Sequence, residues 1–211
     1  MARPALLCDI GKVLADFDFN RAASAAAPRC RAATEGSSAE LNALLEDIKL
    51  PYENGDMDDE TFLTGAKTRL GFEGSRTELT ALWCDIFTPN AAMEQSLRAL
   101  KQRRPALPMH LLSNTAGLHL AHLQEHCPAL SLFDGGVFSH LAKASKPGQR
   151  IFEIAIEQCQ LEPAHTLFID DLPANIATAK AMGFAVHHYD LHNHQAFEHR
   201  LEQWLRDEDL T

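Results

Sequence analysis

Residues 6–18 read LLCDIGKVLADFD, and the placing of Asp9 in this stretch decides the fold. An apolar run from Ala5 to Cys8 ends in a carboxylate, and after Ile10, Gly11 and Lys12 the chain turns apolar again. A run with no polar alternation suits a strand covered on both faces, as in a parallel sheet. An acid at the carboxyl end of such a strand lies where open α/β sheets bind their ligands.

Similar runs recur downstream: MHLLSN from Met109, GGVFS from Gly135, TLFID from Thr166 and FAVHHY from Phe184. Helical patterns lie between and after them, at about Ala91–Arg103, Ala116–His126, Gly148–Gln158, Pro173–Met182 and His194–Arg206. Gly183 follows the fourth of these, as a helix-ending glycine should. Strand and helix in alternation predict an α/β fold with a Rossmann-like, doubly wound parallel sheet.

Residues 16–89 break the alternation. SAELNALLEDI, DDETFLTGAKTRL and ELTALWCDIF carry apolar residues at helical spacing, and Asp58 is placed to cap the second. No strand is predicted between Asp16 and Asn90. Trp83 and Phe87, one helical turn apart, are expected to bury this insert on the rest of the chain. The expected organisation is a core of residues 1–15 and 90–211 with a small α-helical cap, 16–89, inserted after the first strand. The alanine-rich tract RAASAAAPRCRAA lies within the insert.

Composition narrows the partners. The chain has 211 residues and a formal net charge of -10, without a cluster of lysine and arginine. Nucleic acid and anionic membranes are therefore not expected partners. No apolar run is long enough to span a bilayer, and MARPALLCDI does not read as a signal peptide. Five scattered cysteines without a CxxC pair point to a reducing, cytoplasmic setting.

Parallel strands would gather their terminal polar residues at one edge: Asp9, Ser113 and Asn114, Asp170 and Asp171. Lys146, before Pro147 and a helix, would join them. Adjacent acids ionise together in a confined site only against strong positive charge. Three carboxylates with few nitrogen or sulfur ligands favour Mg2+. An aspartate beside a neutralised phosphate can attack phosphorus, while Ser113 and Lys146 hold the phosphoryl oxygens.

These residues fall into four ordered motifs that resemble the haloacid dehalogenase superfamily: LLCDIGKVL, MHLLSNT, SKPGQRIF and LFIDDLPANI. The stretches DIGKVLADFDFNRA, YENGDMDDETF and SNTAGLHL most resemble its bacterial small-capped sugar-phosphate phosphatases, such as the glucose-1-phosphate phosphatases. The resemblance implies Mg2+-dependent hydrolysis of a small phosphorylated metabolite, with Asp9 as nucleophile and metal ligand. It makes the Gly11 carbonyl and Asp170 direct ligands, and Asp171 a ligand either directly or through water. Ser113 and Asn114 would grip phosphate, Lys146 would steady both phosphate and Asp9, and Asn175 would support the metal loop.

Two positions depart from the common pattern. Most phosphatases of the superfamily carry a second aspartate where this chain has Gly11. The sugar-phosphatase branch also has glycine there, which leaves the substrate, a metal-bound water or a cap residue to supply the proton. Lys12 stands where a small or amide residue is usual. Its ammonium either lies near the phosphate or points to solvent or an acidic neighbour, and the latter is expected of a lysine. The five histidines between His187 and His199 follow no zinc spacing and read as pH-sensitive surface. His119 is expected on a helix surface, Cys8 in the core, and ENGDMDDE as a solvated turn and helix start. The competing functions are a metal-free 2-haloacid dehalogenase and a non-catalytic relative that binds a phosphorylated ligand or a protein. The adjacent acids Asp170 and Asp171 weigh against the first.

Overall fold

A computed structural model describes residues 3–32 and 37–209. Five parallel strands form one sheet: β1 (Ala5–Cys8), β4 (Met109–Ser113), β5 (Gly136–Phe138), β6 (Thr166–Asp170) and β7 (Ala185–His188). Their spatial order is β5-β4-β1-β6-β7, so β1 is central and hydrogen-bonded on both sides. All four residues of β1 are buried, and they alternate between two cores. Leu6 and Cys8 face Met93, Leu97 and Leu100 of α5 (Ala91–Arg103) and Leu201 and Trp204 of α10 (His194–Asp209). Ala5 and Leu7 face Ile151, Phe152 and Ala155 of α8 (Gln149–Gln158) and Ala179 of α9 (Pro173–Ala181). Leu6 and Leu7 have no exposed surface, which stabilises the fold by roughly 2 kcal/mol each. This two-sided cover is why β1 reads as an unbroken apolar run.

Four helices occupy the described part of the insert: α1 (Phe19–Ala26), α2 (Ser38–Glu53), α3 (Asp59–Leu70) and α4 (Arg76–Cys84). Asp58 caps α3, its carboxylate accepting the Thr61 N–H at 2.8 Å. Ser75 and Glu78 form a reciprocal capping box at the start of α4. A core separate from the sheet fills the space between these helices, built on Phe62, Leu70, Trp83, Tyr52 and Leu45. Tyr52 stacks on Phe62 with ring centres 4.1 Å apart. Ala33, the last residue of the alanine-rich tract, lies outside the described residues.

The insert contains one element that its sequence does not announce. β2 (Ala15–Phe17) pairs antiparallel with β3 (Phe87–Pro89), so a strand does occur between Asp16 and Asn90. Each partner has three residues, too few for a period-two pattern, and the pairing joins positions about seventy residues apart in sequence. The expected division at residues 15/16 falls inside β2. α4 stops at Cys84, so Phe87 is a strand residue and not a helical neighbour of Trp83. A short helix after β5, α7 (Ser139–Ala142), was also not anticipated. The remaining helix downstream of β4 is α6 (Gly117–His126). No described helix is long and apolar enough to cross a membrane.

Candidate active site

The register delivers the chemistry-bearing residues to one edge. Cys8 pairs with Leu111 of β4 and Ile169 of β6, so Asp9 emerges beside Ser113 and Asp170, the last residues of those strands. The Asp9 N–H donates to the Ile169 carbonyl at 2.9 Å, which holds the aspartate in line with the sheet. One carboxylate oxygen, Oδ1, accepts the Ile10 N–H at 2.7 Å and lies 2.9 Å from Lys146 Nζ. The Ser113 hydroxyl lies near enough to the Asp9 carboxylate to help lower its pKa.

Lys146 bridges two acids, with its ammonium 2.6 Å from Asp170 Oδ2 as well. Asp170 is fully buried, and its Oδ1 accepts the Leu172 N–H at 2.8 Å and the Asn175 amide at 2.9 Å. Asn114 is exposed, yet both ends of its side-chain amide are engaged. Its amide donates to the Lys146 carbonyl at 2.8 Å and accepts the Lys146 N–H at 2.9 Å, clamping the backbone that carries the lysine.

Carboxylate oxygens of Asp9, Asp170 and Asp171 can all lie within 4.8 Å of one another. Burial pushes the Asp9 carboxyl up, Lys146 pulls it down, and Asp170 raises it again. Burial also raises Asp171, with Asp9 and Asp170 adding to it, to about 6. Burial alone would lower Lys146, but Asp9 and Asp170 overcome it and hold the ammonium charged. Three acids around one ammonium leave excess negative charge in a buried, all-oxygen site. That donor set fits a small, hard divalent cation. Gly11 stands two residues past Asp9, in a turn closed by the Lys12 N–H on the Ala15 carbonyl at 2.8 Å.

Lys12 is turned away from this cluster. Its backbone is left-handed, with φ 56°, and its ammonium pairs with Asp16 and with the Phe17 carbonyl at 3.0 Å. It also lies over the Phe17 ring, 4.6 Å from the centroid. The acidic-neighbour placement is the one adopted. Cys8 is in the core, its thiol pushed up first by burial and then by Asp9.

A chamber of about 240 Å³ opens beside Ile10 and Gly11, the residues that follow Asp9. Gly11, Ser113, Asn114 and Thr115 line it from the sheet edge, and Lys49 and Glu53 of α2 line it from the insert. Phe17, Phe19 and Phe87 form aromatic walls, with Phe17 5.7 Å from Phe19 and 6.3 Å from Phe87 between ring centres. His119 is here too, contrary to the expected surface position. It is 7% exposed, stacks on Trp83 at 5.2 Å, meets Phe87 edge-on and bonds the Trp83 carbonyl through Nε2 at 3.1 Å.

Several residues missed by sequence reasoning tie the insert to this edge. The Ser139 hydroxyl donates to the Glu53 carbonyl at 2.6 Å and accepts the Thr115 N–H at 3.0 Å. The Ser145 hydroxyl, next to Lys146, donates to the Asn54 side chain at 2.5 Å. Gly55 permits the approach. Its φ is 77°, and a Cβ there would meet the His140 carbonyl oxygen at 1.9 Å. ENGDMDDE is therefore only partly the solvated turn expected of it, because Glu53 and Asn54 face the docking seam. The histidine-rich tract is also partly engaged: His188 bonds the Asp171 carbonyl at 2.7 Å, and His194 bonds Tyr189 and Ser96.

Known proteins share this fold. A HAD family enzyme from Bacteroides thetaiotaomicron superposes with a TM-score of 0.77 at 23% identity, covering 90% of this chain and 95% of the other. The same enzyme in complex with magnesium and inorganic phosphate superposes with a TM-score of 0.70 at 21% identity, covering 90% and 96%. An L-2-haloacid dehalogenase from Xanthobacter autotrophicus gives a TM-score of 0.59 at 22% identity, over 87% of this chain and 76% of that one. In sequence, the sesquiterpene phosphatase astK of Aspergillus oryzae is 27% identical over 133 residues, 63% of this chain and 67% of the relative. Residues 5–183 match the model of the haloacid dehalogenase-like hydrolases, and the chain belongs to that family.

Proposed function

We propose that the protein is a Mg2+-dependent phosphatase that hydrolyses a small phosphorylated metabolite through a phosphoaspartate on Asp9. The observation that carries this reading is Lys146, buried between Asp9 and Asp170, with the Asp171 carboxylate in the same cluster. Asp9, Asp170, Asp171 and the Gly11 carbonyl would hold the ion, which supplies positive charge against the phosphate oxygens. The Ile10 N–H and Lys146 fix the Asp9 carboxylate for attack on phosphorus. Ser113 and Lys146 hold the transferring oxygens where their charge develops. Asn114 serves phosphate through the lysine it clamps, and Asn175 fixes the orientation of Asp170. The insert, residues 16–89, acts as a cap, and the chamber beneath it receives the organic part of the ester.

The relatives support this reading in two ways: astK is named a phosphatase, and the Bacteroides enzyme was crystallised with magnesium and phosphate. The fold is equally that of a haloacid dehalogenase. A metal-free dehalogenase would have to keep Asp171 beside Asp9 and Asp170 with no cation beyond Lys146 to offset them, so the acid cluster favours the phosphatase. The test is phosphate release from a panel of phosphorylated metabolites, with Mg2+ and after chelation. Release should require Mg2+ and vanish in Asp9→Asn. No release from any ester refutes the reading, and halide release from 2-haloacids that survives chelation replaces it.

A further inference from the structure

A phosphatase of this kind needs a proton for its leaving group, and Gly11 cannot give one. The position is also tight: a Cβ at Gly11 would lie 3.1 Å from Cε1 of the Phe17 ring. Lys12 is committed to Asp16 and Phe17. The described ionisable side chains that line the chamber are Lys49, Glu53 and His119. His119 is unsuited. Its Nε2 proton goes to the Trp83 carbonyl, and its Nδ1 is bare because burial drives the ring's pKa down to about 4. Lys49 lies over the Phe19 ring, 4.2 Å from the centroid, with its Nζ 4.0 Å from Glu53 Oε1.

We infer that Glu53 is the general acid of this enzyme, carried into the site by the insert in place of an aspartate at position 11. The inference rests on the phosphatase reading. Three observations converge on it. Glu53 lines the chamber that also contains Gly11, Ser113 and Asn114. Its backbone is bound through Ser139 to Thr115, one residue past Asn114, and its neighbour Asn54 is bound to Ser145, one residue before Lys146. The segment that carries the carboxyl is therefore anchored, through the Glu53 backbone and the Asn54 side chain, to both loops that hold the transferring phosphate. Burial also raises its pKa, against the pull of Lys49, which favours the protonated form an acid catalyst needs.

The step balances as follows. Asp9 forms a bond to phosphorus as the ester P–O bond breaks. The electron pair stays on the ester oxygen, which takes the Glu53 proton and leaves as an alcohol. The Glu53 carboxylate regains a proton from the water that hydrolyses the phosphoaspartate, releasing phosphate and restoring Asp9.

The experiment compares kcat/KM of wild type, Glu53→Gln and Glu53→Asp on an alkyl phosphate and on p-nitrophenyl phosphate. This parameter covers the steps through departure of the leaving group. Nitrophenolate leaves with little help from a proton, whereas an alkoxide does not. Glu53→Gln should lose about 10²–10⁴-fold on the alkyl ester and less than about tenfold on the nitrophenyl ester. Glu53→Asp should recover part of the alkyl activity. Equal losses on both esters, or no loss on either, overturn the role of Glu53 while the phosphatase reading stands. Wild-type protein that releases no phosphate from either ester, nor from any member of the metabolite panel, overturns both.

Discussion

His119 is a neutral imidazole held between the insert and the sheet, and this makes a measurable prediction about stability. Its ring stacks on Trp83, and its Nε2–H donates to the Trp83 carbonyl. Burial is the main cause of its depressed pKa of about 4. The Trp83 carbonyl pulls the other way, while Lys49 and His122 add repulsion to a second charge. In the unfolded chain the ring titrates near 6.5. Between these values the unfolded chain binds a proton that the native state refuses. The contribution to stability is thus complete above the unfolded pKa and is lost as pH falls towards the folded one. At about pH 5 the unfolded state is favoured about thirtyfold by this group, a loss of about 2 kcal/mol, and the full shift is worth about 3 kcal/mol.

The assay is urea unfolding of wild type and His119→Gln at about pH 7.5 and about pH 5. Glutamine has no proton to gain in this range and can still donate to the Trp83 carbonyl. The acid-induced loss of stability should be about 2 kcal/mol smaller in the variant. His187, also depressed to about 4 by burial, is present in both proteins and cancels. If the two proteins lose the same stability on acidification, His119 is not a buried neutral imidazole and the account of this seam is wrong.

Two further perturbations probe the site. Lys146→Met leaves Asp9, Asp170 and Asp171 without their ammonium, so phosphate release should cease and stability should fall by about 3–5 kcal/mol in chelator. That deficit should shrink on acidification as the raised carboxyls of Asp9 and Asp171 take up protons, which unfolding curves at neutral and acidic pH would show. Ser139→Ala removes the hydroxyl shared by Glu53 and Thr115 and should cost about 1–3 kcal/mol. Hydrogen exchange at the Thr115 amide should accelerate with it, and unchanged exchange there would contradict the proposed tie.

The core of the fold is legible because burial on both faces leaves a strong trace. β1, β4 and β6 are mainly apolar and lead into polar residues at their carboxyl ends, and parallel register then brings Asp9, Ser113 and Asp170 to one edge. The β2–β3 ribbon leaves no such trace, since three residues cannot establish a period and its partner lies far along the chain. Glu53 reads as a turn acid in YENGD because nothing local records that Ser139 and Gly55 draw this turn onto the sheet edge. A signal for His119 did exist. It precedes Leu123 by four residues and adjoins Leu120, so it shares the buried side of α6. That periodicity outweighs the usual preference of histidine for partly exposed positions.

Gly11 follows from its surroundings as much as from catalysis. Phe17 occupies the space that a side chain at position 11 would need. The ring is held there by the pairing of Phe17 with Phe87 across the ribbon and by the Lys12 ammonium above it. A side chain at position 11 would require the Phe17 ring to give way by a few tenths of an ångström. If Glu53 supplies the proton, as proposed, the machinery is divided: Asp9 would be fixed by the sheet, and the donor by how α2 and the turn after it meet Ser139 and Ser145. An ester that met Asp9 without those contacts would lack its acid, so leaving-group departure would depend on the contacts that join the insert to the sheet edge.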